Sequence, residues 1–483
     1  MATRAQRTRD VAPRLRQYPG VRKLALLLAS PCLLLACSSS SSTATPTDGG
    51  VADSLVTDAA EVGADAGADT APPDPLGAAR AACTFTLGAK VADTLGFQAA
   101  DRAKLPITHV IVVMKENRSF DHYFGRLPAE GRTDVEGIPA GFTNPDATGA
   151  IVAPTHETDA CFPYDPDHQW NAMHAAWDDG KMDGFVKSAA ASSVGPDDTT
   201  PVTTDGHFVL TYRERTDLPF YYWLTDQFAM ADHFHCSALA GTWANRLYLY
   251  AGNSYGVKNT AVDFVKSDVV TVFDALDTAG VSYGIYSDDV YPLDGALLTG
   301  GFGADHKGVA KEAAFFAALA DGSLPQVSFI DAGLNTIDEH PPADVQKGEA
   351  WTKKVYDAAT ASPLWLKDGK GLALVFTYDE SGGFFDHVPP PKGCVAAADQ
   401  SDFDHLGMRV PFVMISPFAK KKYVSHKTYD HTAITRFLEM IWDLPAMSAR
   451  DANAESLLDF FDFTAIPNGT APTSPASGTG ECK

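Results

Sequence analysis

Short runs rich in β-branched and aromatic residues alternate along this chain with longer runs of helical periodicity, and that alternation limits the possible folds more than any other feature. The strand-like runs are His109 to Met114, Val281 to Tyr286, Gln326 to Ile330, Leu372 to Thr377 and Val410 to Ile415. Between and after them, Trp243 to Ala251, Thr271 to Ala279, Val309 to Leu319, Ala350 to Ala361 and His431 to Trp442 carry helical patterns. The pattern predicts an α/β fold with a mostly parallel sheet covered by helices on both faces. With 483 residues, 45% of them hydrophobic, the chain can build such a core. The Gly, Pro and Asp-rich stretch Leu127 to Asp167 and the segment Val186 to Thr211 fit neither element, and long loops of this kind are expected to roof a pocket.

Two of the strand-like runs end in oxygen-bearing side chains. Val110 to Lys115 leads into Glu116-Asn117, and Leu372 to Thr377 leads into Tyr378-Asp379-Glu380. Ligands of open α/β sheets gather at the carboxyl ends of strands, so these residues are expected to face one pocket. Their oxygens suit a hard divalent cation. Taken singly, each acidic pair reads as a solvated loop, the usual fate of Asp and Glu.

The formal charge of −23, from 38 Lys+Arg against 61 Asp+Glu, argues against nucleic acid as a partner. Positive charge gathers instead at the start, where Arg4, Arg7, Arg9, Arg14, Arg16, Arg22 and Lys23 precede the apolar run Leu24 to Ala36. At about 13 residues this run is shorter than a bilayer-spanning helix and reads as an export leader. It ends at Leu34-Leu35-Ala36-Cys37, which resembles a bacterial lipobox and implies lipidation of Cys37 and membrane attachment; an ordinary cleaved leader ending near Cys37 is the other reading. Residues 1–37 are therefore expected to be a leader, 38–82 a flexible low-complexity linker, 83–466 the folded domain, and 467–483 a loose tail. Beyond the leader and Cys37 stand Cys83, Cys161, Cys236, Cys394 and Cys482, an odd set that leaves a thiol over. Cys83 and Cys482 bracket the domain and are candidates to join its ends.

In Ala240-Gly241-Thr242-Trp243-Ala244-Asn245-Arg246 a threonine opens a helical run. Thr242 reads as an N-cap. It also reads as a nucleophile, because a hydroxyl at a helix N-terminus beside a metal sits where a phosphate is attracted and its alkoxide is favoured.

Several longer motifs join these residues: Glu116-Asn117-Arg118-Ser119-Phe120-Asp121-His122-Tyr123-Phe124-Gly125, Lys181-Met182-Asp183-Gly184-Phe185, Glu339-His340-Pro341-Pro342, Thr377 through Pro391, and Tyr429-Asp430-His431-Thr432. In this order, between about Leu105 and Leu444, they resemble the bacterial phosphoesterases that include non-haemolytic phospholipases C and secreted acid phosphatases of the alkaline-phosphatase superfamily. The resemblance implies an alkaline-phosphatase-like core. It also implies one divalent metal held by Glu116, Asn117, Thr242, Asp379 and Glu380, with Thr242 forming a covalent phosphoenzyme. In one departure, Ala240 and Ala244 stand where the phospholipase-like pattern carries prolines around the nucleophile. Thr242 cannot supply the formylglycine of sulfatase relatives.

By the same resemblance His168 and His340 lie near the phosphate, as proton carriers or as clamps; each alone reads equally as a loop histidine bonded to backbone. His387 is a candidate brace for the Asp379 loop, and His431, opening a helix beside Asp430, a supporting residue. Arg118 and Arg246 suit either phosphate binding or neutralisation of the carboxylates. The expected activity is hydrolysis of phosphate mono- or diesters, a phospholipid head group being the leading diester. The short stretch after the last motif favours a phosphatase or broad phospholipase over a choline-specific enzyme. The rival expectation is a surface-anchored protein that binds phosphate esters or lipid head groups on the same fold without turnover.

Overall fold

The protein is described here by a computed structural model covering residues 74–195, 200–259, 269–288, 308–396, 401–480 and 482. The leader, the lipobox Cys37 and the linker as far as residue 73 lie outside the described residues.

Nine strands form the main sheet: β1 (Ile107–Lys115), β2 (Ala229–Ala231), β3 (Tyr283–Tyr286), β4 (Val309–Ala310), β5 (Val327–Ile330), β6 (Leu366–Lys367), β7 (Lys370–Tyr378), β8 (Phe412–Ile415) and β9 (Val424–Ser425). Their spatial order is β4-β3-β5-β1-β7-β8-β2-β9, with β6 paired to β7. From β4 through β7 every pair is parallel, β8 runs against both neighbours, and β2 and β9 are parallel to each other. In the two central strands consecutive residues are buried, Val110 to Lys115 in β1 and Gly371 to Tyr378 in β7. A strand buried on successive residues has both faces covered, which is the α/β arrangement expected.

The main helices are α1 (Phe120–Phe124), α2 (Trp170–Trp177), α3 (Phe185–Ala191), α4 (Pro219–Gln227), α5 (Thr242–Ala251), α6 (Val272–Ala279), α7 (Glu312–Asp321), α8 (Val345–Ala361) and α9 (His431–Trp442). Where the sequence carries a cap, the boundary follows it: Thr271, Asp344 and Asp430 each accept from backbone N–H groups of the first turn. Two helix starts depart from expectation by more than two residues. Val309–Ala310 pairs with β3 as a strand, so α7 starts at Glu312, and α8, capped by Asp344, starts at Val345, five residues before Ala350.

The expected roof is only partly loop. Helices α2 and α3 pack together and, with Phe162, Met182, Val209, Leu239, Phe384, Phe385 and Met408, enclose a second hydrophobic cluster. The Lys181 to Phe185 motif lies in the turn between them, where Asn144 accepts from Phe185 N and donates to Met182 O.

Both ends of the domain depart from expectation. Residues 77–81 form a helical turn whose Arg80 is buried and paired with Asp74 and Glu455, so the folded region begins before Cys83. The tail lacks regular elements, as its composition implies, yet it is fastened rather than loose. Tyr356 donates to Pro472 O, Gly478 N donates to Glu349 Oε2, and Asn468 is fully buried. The disulfides are Cys83–Cys394 and Cys161–Cys482, not the end-to-end pair. Each end meets a different internal loop, and adjacency in space, not bracketing in sequence, decides pairing. Cys236 is the buried free thiol.

Candidate active site

The register of β1 and β7 creates the site. Lys115 pairs with Tyr378, so Glu116-Asn117 and Asp379-Glu380 leave the sheet side by side. The turn that follows is tight: Asn117 has φ +64°, and at Gly382, φ +63°, a Cβ would come within 2.6 Å of Asn117 Cβ. Glycine is therefore required there for the two segments to touch. Asp379 Oδ1 accepts from Asn117 N at 3.1 Å and Glu380 N at 2.7 Å, while Glu380 Oε2 accepts from Gly382 N at 2.7 Å.

Thr242 is brought to the same place by the start of α5. Gly241 is the N-cap and Thr242 the first helical residue, with no capping hydrogen bond from its side chain, so the capping reading fails by one position. Instead Thr242 Oγ1 donates to Glu116 Oε2 at 3.2 Å. The turn ahead of it is held by Asn245, which accepts from Ala238 N at 2.9 Å and donates to Ala240 O at 2.8 Å. Ala240 and Ala244, in place of prolines, pack with Tyr248 and Phe403.

Arg246, one turn further on, is committed to the carboxylates. It donates to Glu116 Oε1 at 2.5 and 3.0 Å and to Asp331 Oδ1 at 3.1 Å, and lies 3.8 Å from Asp379 Oδ2. Asp331 was not among the residues expected from sequence, although it too follows a strand end, that of β5. Arg118 points elsewhere: it donates to Glu339 O at 2.5 Å and stacks on Phe384 and Phe162 at 4.7 and 5.2 Å. The structure thus keeps Arg118 out of the carboxylate cluster.

His168 and His340 meet at the site with Asp165, another residue sequence reasoning passed over, three places before His168. Both histidines use Nδ1 on a backbone carbonyl, Pro166 O at 2.8 Å and Pro341 O at 2.7 Å, which turns each Nε2 inward. Burial works against a charge on His168, but the Glu380 and Asp165 carboxylates outweigh it and hold its pKa up at about 9. His387 and His431 support the site from behind. His387 Nδ1 and N both bond Asp121 Oδ2, at 2.6 and 2.8 Å, bracing the loop after Glu380. His431 Nε2 bonds Tyr378 O at 2.9 Å, and burial pushes its pKa down to about 4, leaving a neutral ring.

The donor set fits a divalent cation. Glu116, Asp379 and Glu380 are all buried. Asp379 Oδ2 is a buried oxygen that accepts no hydrogen bond. Burial and the charges of Glu116 and Glu380 push the Asp379 carboxyl well above its usual range, and Arg246 opposes this only in part. One end of the Asn117 amide lies 2.6 Å from Glu380 Oε1 and 3.2 Å from Glu116 Oε2, the other 3.0 Å from His340 Nε2. With its oxygen inward, three oxygens converge and a cation among them relieves the repulsion; with nitrogen inward, the amide donates to both carboxylates instead.

Comparison with known proteins identifies the family. The profile of the Phosphoesterase family matches residues 107–445. Phospholipase C A of Mycobacterium tuberculosis is 29% identical over 426 residues, covering 76% of this chain and 79% of that one. Non-specific phospholipase C1 of Arabidopsis thaliana is 28% identical over 436 residues, covering 81% and 77%. Among solved structures, a protein in the alkaline phosphatase superfamily from Vibrio parahaemolyticus aligns with TM-score 0.35 and 14% identity over 49% of this chain and 64% of its own. With the family's profile spanning the sheet, the strand-end carboxylates and Thr242, the chain belongs to the Phosphoesterase family.

Proposed function

We propose that this protein is an exported, metal-dependent phosphoesterase that hydrolyses phosphate esters through a covalent phosphothreonine at Thr242. The observation that carries the reading is the meeting of Glu116, Asn117, Asp379 and Glu380 at two adjacent strand ends, with the Thr242 hydroxyl 3.2 Å from Glu116 Oε2. Glu116, Asn117, Asp379 and Glu380, with the Thr242 oxygen, would hold one divalent cation. Such an ion supplies Lewis-acid neutralisation of the phosphoryl group and favours the Thr242 alkoxide.

The chain's own groups account for the remaining steps. Glu116 Oε2 takes the hydrogen of Thr242 Oγ1 as that oxygen bonds to phosphorus. The N–H groups and dipole of α5 stabilise the phosphoryl charge. The bond to the leaving oxygen breaks, and that oxygen takes a proton from His168 or His340, whose Nε2 atoms face inward. Water then attacks the same phosphorus, giving a proton back to the histidine that lost one, while the bond from phosphorus to Thr242 Oγ1 breaks and Oγ1 takes back the hydrogen held by Glu116, so that phosphate or phosphomonoester departs. Arg246, bonded to Glu116, holds that carboxyl below its usual range against the effect of burial.

The names of the relatives support phospholipids among the substrates, with smaller phosphate esters as the alternative. Assay of p-nitrophenyl phosphate, p-nitrophenyl phosphorylcholine and phosphatidylcholine side by side assigns the class. Thr242→Ala is expected to lower turnover of the preferred ester by about 10³-fold or more with circular dichroism unchanged. Undiminished turnover removes Thr242 as nucleophile, and a wild type that holds no metal and turns over none of the three esters leaves a binding protein on the same fold.

The leader and the two disulfides support residence in an oxidising compartment. The lipobox supports a lipid anchor at Cys37, with the low-complexity stretch that follows it as spacer. Cys37→Ser is expected to abolish lipid labelling and either to leave the protein uncleaved or to release it from the membrane fraction; unchanged cleavage together with unchanged membrane association removes the anchor.

A further inference from the structure

Beneath the candidate site lies a second buried carboxylate, Glu339, fully enclosed and saturated with donors. Its Oε2 accepts from Tyr123 at 2.7 Å and Tyr378 at 2.6 Å. Its Oε1 accepts from Tyr221 at 2.5 Å and pairs with Lys115 Nζ at 2.8 Å. Lys115 also donates to Ile337 O and Gly348 O, and Tyr221 reaches Thr352, so no polar atom of this group needs water.

The partners of Glu339 are not scattered. Lys115 precedes Glu116, Tyr378 precedes Asp379, and Glu339 itself precedes His340. Arg118, which donates to Glu339 O, follows Asn117. Successive side chains of a strand point to opposite faces, so Glu116 and Asp379 turn into the site while their neighbours Lys115 and Tyr378 turn down to Glu339. Glu339 also holds a left-handed backbone, φ +80°, which a non-glycine residue keeps only when its surroundings enforce it. Opposite it, a Cβ at Gly348 would come 2.2 Å from Glu339 Cγ, so the helix is cut away to admit the side chain.

We propose that Glu339 is a positioning residue: its carboxylate ties the strand ends that carry Glu116 and Asp379 to one point and aims His340 at the same pocket. The inference rests on the phosphoesterase reading. It assigns work to Glu339, the residue of the Glu-His-Pro-Pro motif beside His340 that the reaction itself leaves unused. Residues that orient metal ligands from behind cost about 10- to 100-fold in activity or metal affinity when altered.

The test uses the full-length protein and three variants, Glu339→Gln, Tyr378→Phe and Tyr221→Phe. Both tyrosine variants remove one hydrogen bond to Glu339, but only Tyr378 adjoins a site residue. Glu339→Gln is expected to lower kcat for p-nitrophenyl phosphate by about 10- to 100-fold, with KM within about threefold. Binding of Zn²⁺, Mn²⁺ or Ca²⁺, whichever the chelator-stripped wild type takes up in calorimetry, is expected to weaken by a similar factor. Tyr378→Phe is expected to lower kcat by about tenfold, and Tyr221→Phe by clearly less, at similar losses in melting temperature. Wild-type kcat and cation affinity in folded Glu339→Gln and Tyr378→Phe would show a purely structural residue and overturn the proposal. Should Glu339→Gln not fold, the two tyrosine variants decide: equal kcat in both overturns it. A wild type that binds no cation and hydrolyses no ester overturns instead the reading on which the proposal rests.

Discussion

Two groups of buried carboxylates lie back to back at the carboxyl edge of the sheet, and they are built on opposite principles. Around Glu339 four donors, one of them a lysine, meet a single carboxylate. Glu116, Asp379 and Glu380 crowd together, with Arg246 beside the first two and His168 Nε2 3.9 Å from the third, and Asp379 Oδ2 accepts no hydrogen bond. A buried charge is tolerable when paired and hydrogen-bonded, and costly when it is not. The first group is complete with protein atoms alone, whereas the second leaves one buried carboxylate oxygen without a donor. The difference separates structure from function between residues adjacent in sequence.

Removing one charge from each group should break the symmetry between them most forcefully. Asp379→Asn is expected to abolish cation binding and lower turnover by about 10³-fold. In chelator-stripped protein the same variant should be at least as stable as wild type, because it removes repulsion, a gain on the order of 1 kcal/mol. Glu339→Gln leaves Lys115 buried without its counter-charge and should cost about 3 to 5 kcal/mol. Thermal melts of the two stripped variants check this: a shift in the same direction for both sinks the distinction.

A smaller effect concerns the cation itself. A cation that binds only the folded state stabilises it by about 1.4 kcal/mol for each tenfold excess over Kd. Chelation should therefore lower the melting temperature of wild type and of Thr242→Ala, to differing extents, and leave Asp379→Asn unmoved. A chelator response that survives in Asp379→Asn would place the cation elsewhere.

Much of this was legible in the sequence because strand ends announce themselves. Five strand-like runs fell on β1, β3, β5, β7 and β8, and the oxygen-bearing residues after two of them form the candidate site. The same rule applied to β5 would have found Asp331. Strands of two or three residues, such as β2 and β9, are too short to show alternation, and the roof helices α2 and α3 carry no side-chain cap to mark their start. The roles of the two arginines depended on direction: Arg246 projects from a helix into the carboxylates, and Arg118 leaves the strand end toward Phe162 and Phe384. Only the fold reveals such directions, and the same holds for the disulfide pairing. Thr242 illustrates a finer limit, since cap and first helical residue differ by one position and by the whole of their chemistry.

A third buried carboxylate, Glu349 on α8, stands between the two groups in character and should give the smallest effect. It accepts three backbone N–H groups, from Phe220 at 2.7 Å, Tyr221 at 3.0 Å and Gly478 at 2.7 Å. Burial outweighs those donors and pushes its pKa up to about 7, from an ordinary 4.5. Because the folded state then binds the proton more tightly than the unfolded chain, its contribution to stability is fully present below pH 4.5 and is lost as pH rises through about 7. The loss approaches 1.4 kcal/mol per pH unit within that window at most, since one pKa unit is about that much. Glu349→Gln keeps an oxygen for the start of α4 but sets its amide nitrogen against the Gly478 N–H, so it begins less stable than wild type. Denaturant unfolding between pH 5 and 8 should show the gap between the two proteins narrowing as pH rises, while a constant gap would mean that Glu349 is ionised throughout and belongs with Glu339. The narrowing would place it with the carboxylates that protein donors alone do not fully satisfy, here one that fastens the tail instead of holding a cation.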